Sequence, residues 1–133
     1  MEADNTSRKI MVVDDNDDGR RLVGKVLKMH RYQVIGVATG EDAITKAQSE
    51  LPDLILMDIR LPGAIDGLEA TRRIKAEPET AKITILALTA SVRPEDVQAA
   101  LDAGCSGFAR KPIDIDELPK QVDEYIKRTP KTG

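Results

Sequence analysis

The chain has 133 residues, 41% of them hydrophobic and 32% charged, with a formal net charge of −3. That length allows one domain with a real core, and that charge gives no ground for general nucleic-acid or membrane-surface binding. The single cysteine, Cys105, excludes an internal disulfide, no apolar run approaches a membrane span, and the first seven residues lack the basic and apolar regions of a signal peptide, so a cytoplasmic location is expected.

Lys9 to Val13 reads as a buried strand that finishes in Asp14-Asp15. Asn16, Asp17 and Asp18 supply a cap and first-turn acids for a helix. Leu22, Val26 and Met29 are expected to form its inward stripe, flanked by Val23 and Leu27, with Arg20, Arg21, Lys25 and Lys28 outside. His30 falls near the helix end, and with no second histidine in the chain it reads as an exposed terminal residue. Residues 33–38 form a second strand, and a helix after Thr39-Gly40 faces inward through Ala43, Ile44, Ala47 and Leu51 before Pro52 stops it.

The run Asp53-Leu-Ile-Leu-Met-Asp58 is the centre of the pattern. Four apolar residues in succession suit a strand buried on both faces, hence a parallel sheet with helices on either side. Asp58 then stands at the carboxyl end of a central strand, where open α/β sheets bind ligands. A third helix opens at Gly67 with Leu68, Thr71 and Ile74 inward and is stopped by Pro78. Residues 83–88 form strand four, ending on Thr89-Ala90. Pro94 suits the first turn of helix four, Val97, Ala100 and Leu101 face in, and Gly104 is the C-terminal cap. Residues 107–110 form a short fifth strand leading to Lys111-Pro112. Helix five begins near Asp116, because Pro119 is costly inside a helix, and faces in through Leu118, Val122, Tyr125 and Ile126. Residues 1–7 and 129–133 read as flexible ends.

Five strands alternating with five helices imply an α/β fold, a doubly wound parallel sheet with right-handed crossovers. The order 2-1-3-4-5 places Asp14, Asp15 and Asp58 together at the switch point between strands one and three. Three neighbouring carboxylates repel, and a hard divalent cation such as Mg²⁺ resolves that conflict while completing its shell with phosphate oxygens. Lys111 adds a point charge and Thr89 a hydroxyl for a phosphoryl group, and an aspartate can itself be the nucleophile.

Together, Asp14-Asp15, Asp58, Thr89-Ala90 and Lys111-Pro112 resemble the response-regulator receiver domain of two-component signalling, a flavodoxin-like fold. The stretches Leu54-Ile-Leu-Met-Asp-Ile-Arg-Leu-Pro62, Asp66-Gly-Leu-Glu69 and Ala103-Gly-Cys-Ser-Gly-Phe108 read the same way, and the resemblance covers residues 8–128. It implies that Asp58 accepts a phosphoryl group from a sensor histidine kinase or histidine phosphotransfer protein. It implies Mg²⁺ held by Asp15, Asp58 and the Arg60 carbonyl, with Asp14 acting through water. Lys111 and Thr89 would hold the phosphate, the Lys111–Pro112 bond would be cis, and Thr89 and Phe108 would form the switch. The expected output is a protein partner bound through helix four, strand five and helix five, with no direct nucleic-acid or membrane contact and a phosphorylation-dependent dimer left open. The resemblance implies a switch rather than an enzyme, with only self-catalysed transfer and autodephosphorylation.

This chain departs from the family pattern in two places. The loop Pro62-Gly-Ala-Ile-Asp-Gly67 is one residue longer than the common turn, and Arg60 is bulky and cationic two residues after the acceptor. Other readings are the same module within a larger regulator or hybrid kinase, a binding pseudo-receiver, and an Asp-nucleophile phosphohydrolase. The last usually needs a second acid where Arg60 stands, and the complete acid set argues against the pseudo-receiver.

Overall fold

The computed structural model describes residues 8–129. In chain order the elements are β1 (Lys9–Val13), α1 (Asp17–Met29), β2 (Gln33–Val37), α2 (Gly40–Glu50), β3 (Leu54–Asp58), α3 (Gly67–Ala76), β4 (Thr84–Thr89), α4 (Pro94–Ala103), β5 (Gly107–Arg110) and α5 (Glu117–Lys127). The strands form one parallel sheet in the order β2-β1-β3-β4-β5.

Alternation along each strand divides the core in two. Met11, Val13, Ile55, Met57, Ile85 and Ala87 point to one face, which α2, α3 and α4 cover through Ala43, Ala47, Ala70, Ile74 and Ala100. Ile10, Val12, Leu54, Leu56, Leu86 and Leu88 point to the other, under Val23 and Leu27 of α1 and Leu118, Val122 and Ile126 of α5. Every residue of β3 is buried, which is why that strand reads as an uninterrupted apolar run. Each large aliphatic side chain so buried contributes roughly 1.5–3 kcal/mol.

Local signals set the element ends. Asn16 Oδ1 caps α1 by accepting from Gly19 N at 2.8 Å, and the Thr39 and Asp66 side chains accept from Asp42 N and Glu69 N at the starts of α2 and α3. Gly104 ends α4 with φ of +118°, a left-handed conformation that glycine adopts without a Cβ penalty. The last turn of α2 closes at Leu51, also left-handed at φ 46°. Pro119 occupies the third position of α5, where the missing N–H has no intrahelical partner to lose.

Several expected helix faces are corrected. Leu22 and Met29 are 45% and 73% exposed, and α1 is seated instead through Val23, Gly24, Val26 and Leu27. Leu101 is 44% exposed, and α4 packs through Ala100 and Ala103. Strand four is displaced by one residue from the expected 83–88, and strand two ends at Val37. Thr129, read from the sequence as part of a flexible end, is only 3% exposed. It is held because its carbonyl accepts from Arg8 Nη1 at 2.9 Å and its hydroxyl lies 2.8 Å from that of Thr84. The other residues of that expectation, 1–7 and 130–133, lie outside the described residues. No helix among the described residues is long and apolar enough to cross a membrane.

Candidate functional site

The parallel order brings the carboxyl ends of β1, β3, β4 and β5 to one edge. Asp14 follows β1 directly and its N–H donates to Val37 O of β2 at 3.1 Å. Asp58 ends β3, paired in register with Leu88. Carboxylate oxygens of Asp14, Asp15 and Asp58 all lie within 4.8 Å of one another, Asp14 and Asp58 buried and Asp15 exposed. Backbone groups fix two of them: Asn16 N–H donates to Asp14 Oδ1 at 3.0 Å, and Arg60 N–H to Asp58 Oδ1 at 2.9 Å.

Lys111 enters from the end of β5. Its Nζ is 3.1 Å from Asp14 Oδ2 and 3.1 Å from Asp58 Oδ2. The Lys111–Pro112 peptide is cis, and Lys111 N–H still donates to Thr89 O at 2.8 Å, so β5 stays paired with β4 up to the residue that carries the charge. Burial pulls the Lys111 ammonium down, but the hydrogen bonds and charges of Asp14 and Asp58 outweigh it and hold its pKa above the usual lysine value. Three carboxylates against one ammonium leave a formal charge of −2, with the lysine standing among the acids as a cation would. The donor set, all oxygen with one acid open to solvent, therefore fits Mg²⁺.

Thr89 ends β4 and is buried. Its hydroxyl donates to Ser91 O at 3.0 Å and accepts from Ser91 N at 3.1 Å, which ties it to the following loop. The Ser91 hydroxyl in turn donates to Asp96 Oδ2 at 2.5 Å, and Arg93 Nε reaches the same oxygen at 3.2 Å. The Ser91 hydroxyl, the Arg93 guanidinium and the Arg60 charge hold the Asp96 carboxyl below the usual range. Phe108, on β5 opposite Ala87, is half-buried against the α2–α4 side of the core, and its carbonyl accepts from Gln121 Nε2 at 2.5 Å.

A family model for the response regulator receiver domain matches residues 10–123. The chain belongs to that family. Receivers similar to it include the polar-differentiation response regulator DivK of Brucella ovis, 31% identical over 120 residues that span 90% of this chain and 97% of DivK. A putative response regulator from Chloroflexus aurantiacus superposes with a TM-score of 0.85 at 32% identity, covering 91% of this chain and 98% of that one. The receiver domain of sensor histidine kinase PA1611 from Pseudomonas aeruginosa, solved with magnesium in its active-site cleft, gives 0.83 at 34% identity, covering 90% and 98%.

Besides the links among Thr89, Ser91 and Asp96, two contacts at the site are not legible in the sequence. Arg20, assigned to the outer basic face of α1, turns back so that Nη1 donates to Asp14 O at 2.7 Å while Nη2 meets Asp17 at 2.6 Å. The spacing of Asp17 and Arg20 was the one available signal. Gly67 was seen only as a helix start, yet a Cβ there would lie 2.0 Å from the Asp58 carbonyl oxygen. Nothing in the sequence marks that approach, since its partner is nine residues upstream.

Proposed function

We propose that this receiver is a phospho-accepting signalling switch whose acceptor is Asp58. The observation that carries this reading is the cluster itself: Asp58 at the end of the central strand, within 4.8 Å of two further acids, with Lys111 Nζ 3.1 Å from its free oxygen. An Asp58 oxygen attacks phosphorus of a phosphoimidazole on a sensor histidine kinase or histidine phosphotransfer protein. The P–N bond breaks, its electron pair returns to the imidazole nitrogen, and a P–O bond forms. Mg²⁺, held by Asp15, Asp58 and the Arg60 carbonyl, with Asp14 through water, would neutralise charge on the transferring group. Lys111 offers its ammonium to a phosphoryl oxygen, and the Arg60 N–H holds the acceptor carboxylate in place. The chain is thus its own substrate, with transfer and autodephosphorylation as its only chemistry. A small phosphodonor and peptide mapping test the assignment.

Lys111 and Thr89 are expected to read the phosphate rather than hold the fold. Lys111→Ala and Thr89→Ala should keep the native circular dichroism but weaken switching. For Lys111 the loss corresponds to a charge-assisted contact of about 1.5–3 kcal/mol. Full switching in either variant, measured by phosphorylation-dependent chemical shifts, removes that residue's role.

Arg60 and Ser91, two residues beyond Asp58 and Thr89, are expected to set how long the phosphoryl group lasts. Arg60 is exposed and the Ser91 hydroxyl is held by Asp96; the family resemblance implies that these two positions flank the approach of an attacking water. An unchanged dephosphorylation rate in the double alanine variant removes this role.

The output surface proposed is α4, β5 and α5. Phosphorylation brings about two negative charges to Asp58. To reach them, the Thr89 hydroxyl must leave the Ser91 backbone, vacating space that Phe108 can fill. Moving such an equilibrium from 1:99 to 99:1 needs about 5.5 kcal/mol, so partial activation of the free protein is expected. Leu101 of α4, expected to face the core, is exposed and adds an apolar side chain to that helix's surface. Amide shifts with a phosphoryl mimic should extend through residues 94–112, and changes confined to the Asp58 loops defeat the mechanism. The partner is a protein, with a phosphorylation-dependent dimer as a variant of the same output, and the setting is the cytoplasm. The switching unit proposed is residues 8–128. Likeness to a kinase's receiver domain favours a second setting, the same unit inside a larger regulator or hybrid kinase.

A further inference from the structure

The flank of α1 that leans over β2 holds a groove of about 640 Å³. Arg21, Lys25 and Lys28 line its helix side, Val34 and Gly36 its strand side, and Met29 one end. None of the lining residues is acidic, although the chain as a whole carries −3. At about 100° per residue, the three basic positions fall within roughly 60° of one another, a single stripe. Arg21 has only Asp18 near it, at 3.7 Å with both side chains largely in solvent, which contributes little. Lys25 and Lys28 make no ion pair among the described residues.

The strand side of the groove is the open edge of the sheet, since β2 is terminal in the strand order. Gln33 N–H donates to Arg8 O and Val37 O accepts from Asp14 N, so the odd-numbered residues of β2 face β1. Backbone groups alternate along a strand, and the N–H and C=O of Val34 and Gly36 therefore point away from the sheet. The groove thus combines unpaired strand edge, an apolar end at Met29 and a basic wall.

We infer that this groove takes an extended acidic peptide segment of a partner protein as a strand added beside β2. The segment's backbone pairs with Val34 and Gly36, its carboxylates lie along the Arg21-Lys25-Lys28 stripe on the α1 side with Val34, and its alternate apolar side chains turn to the opposite face of the sheet, where Ile35 lies. A single-stranded nucleic acid fits less well, because no aromatic side chain lines the groove for base stacking and the edge offers backbone pairing instead. The inference does not depend on phosphoryl transfer at Asp58.

The test is titration of the full chain with a fluorescein-labelled Glu-Val repeat peptide, followed by anisotropy and amide shifts. Saturable binding with shifts gathered in residues 20–37 is expected, weakening as salt is added. The exposed double change Lys25→Glu, Lys28→Glu should weaken it at least about tenfold, and unchanged affinity overturns the basic wall's role. Two further peptides, N-methylated on the Glu amides or on the Val amides, separate strand addition from charge alone. One of the two should lose binding and the other keep it, and equal affinity overturns strand addition. Preference for an oligothymidine strand or for phosphatidylserine vesicles over the peptide overturns the choice of occupant. Absence of saturation up to about 1 mM, a free energy near −4 kcal/mol, overturns the proposal.

Discussion

Asp58→Asn abolishes the phosphoryl adduct while leaving the domain folded. An amide is no nucleophile, so labelling by a small phosphodonor should fall to background. The fold should survive because asparagine keeps the shape and the Oδ1 acceptor that receives Arg60 N–H at 2.9 Å. Lys111 keeps its second partner, Asp14, at 3.1 Å. In the parent, a stoichiometric adduct mapped to Asp58 by mass spectrometry should form with Mg²⁺ and fail in chelator, since the three acids otherwise confront an incoming anion with a formal −2 after Lys111. A stoichiometric adduct that survives Asp58→Asn, or that forms equally in chelator, refutes this assignment.

Gly67→Ala is expected to be among the most damaging small changes in the chain. The new methyl would sit 2.0 Å from Asp58 O and 2.6 Å from Ile59 Cα, both backbone atoms of the strand end that carries the acceptor. Neither can swing aside as a side-chain tip could, so α3 must lift or the end of β3 must bend. Overpacking of this kind costs about 1–3 kcal/mol, and the acceptor moves with it. A useful contrast is Gly24→Ala in α1, where the Cβ would make only an ordinary 3.5 Å contact with Val34 Cγ1. There the helix-propensity gain of up to about 1 kcal/mol decides, and the variant should be neutral or stabilised. Urea unfolding of the two variants checks both signs. A Gly67→Ala protein as stable and as readily phosphorylated as the parent would show that the strand end yields freely.

The sheet was legible because β3, β4 and β1 are buried on both faces, so their apolar runs are unbroken, and acids mark the ends of β1 and β3 while Thr89 marks that of β4. Helix faces were less legible. Leu22, Val26 and Met29 form a stripe as regular as Val23, Val26 and Leu27, and periodicity alone does not say which of two overlapping stripes meets the sheet. The choice falls to Val23 and Leu27, which reach Ile10, Val12 and the rest of that core layer. In α4 the alanines win over Leu101, Ala100 joining the core of the α2–α4 layer. At the site, the acids, Thr89 and Lys111 could be placed from strand ends. The links among Thr89, Ser91 and Asp96, the Arg20 contact with Asp14 and the Gly67 approach could not, because loop conformation and side-chain direction create them.

Arg8 and Thr129 bear on how such a unit can be carried. The first and last described residues are joined by a hydrogen bond of 2.9 Å, at the sheet edge opposite Asp58. Chain entry and exit are therefore neighbours. A receiver of this shape can be spliced into a surface loop of a host protein with both junctions leaving through one small port. The host would feel little stretch across that port, and the acidic cluster would face outward, away from the seam.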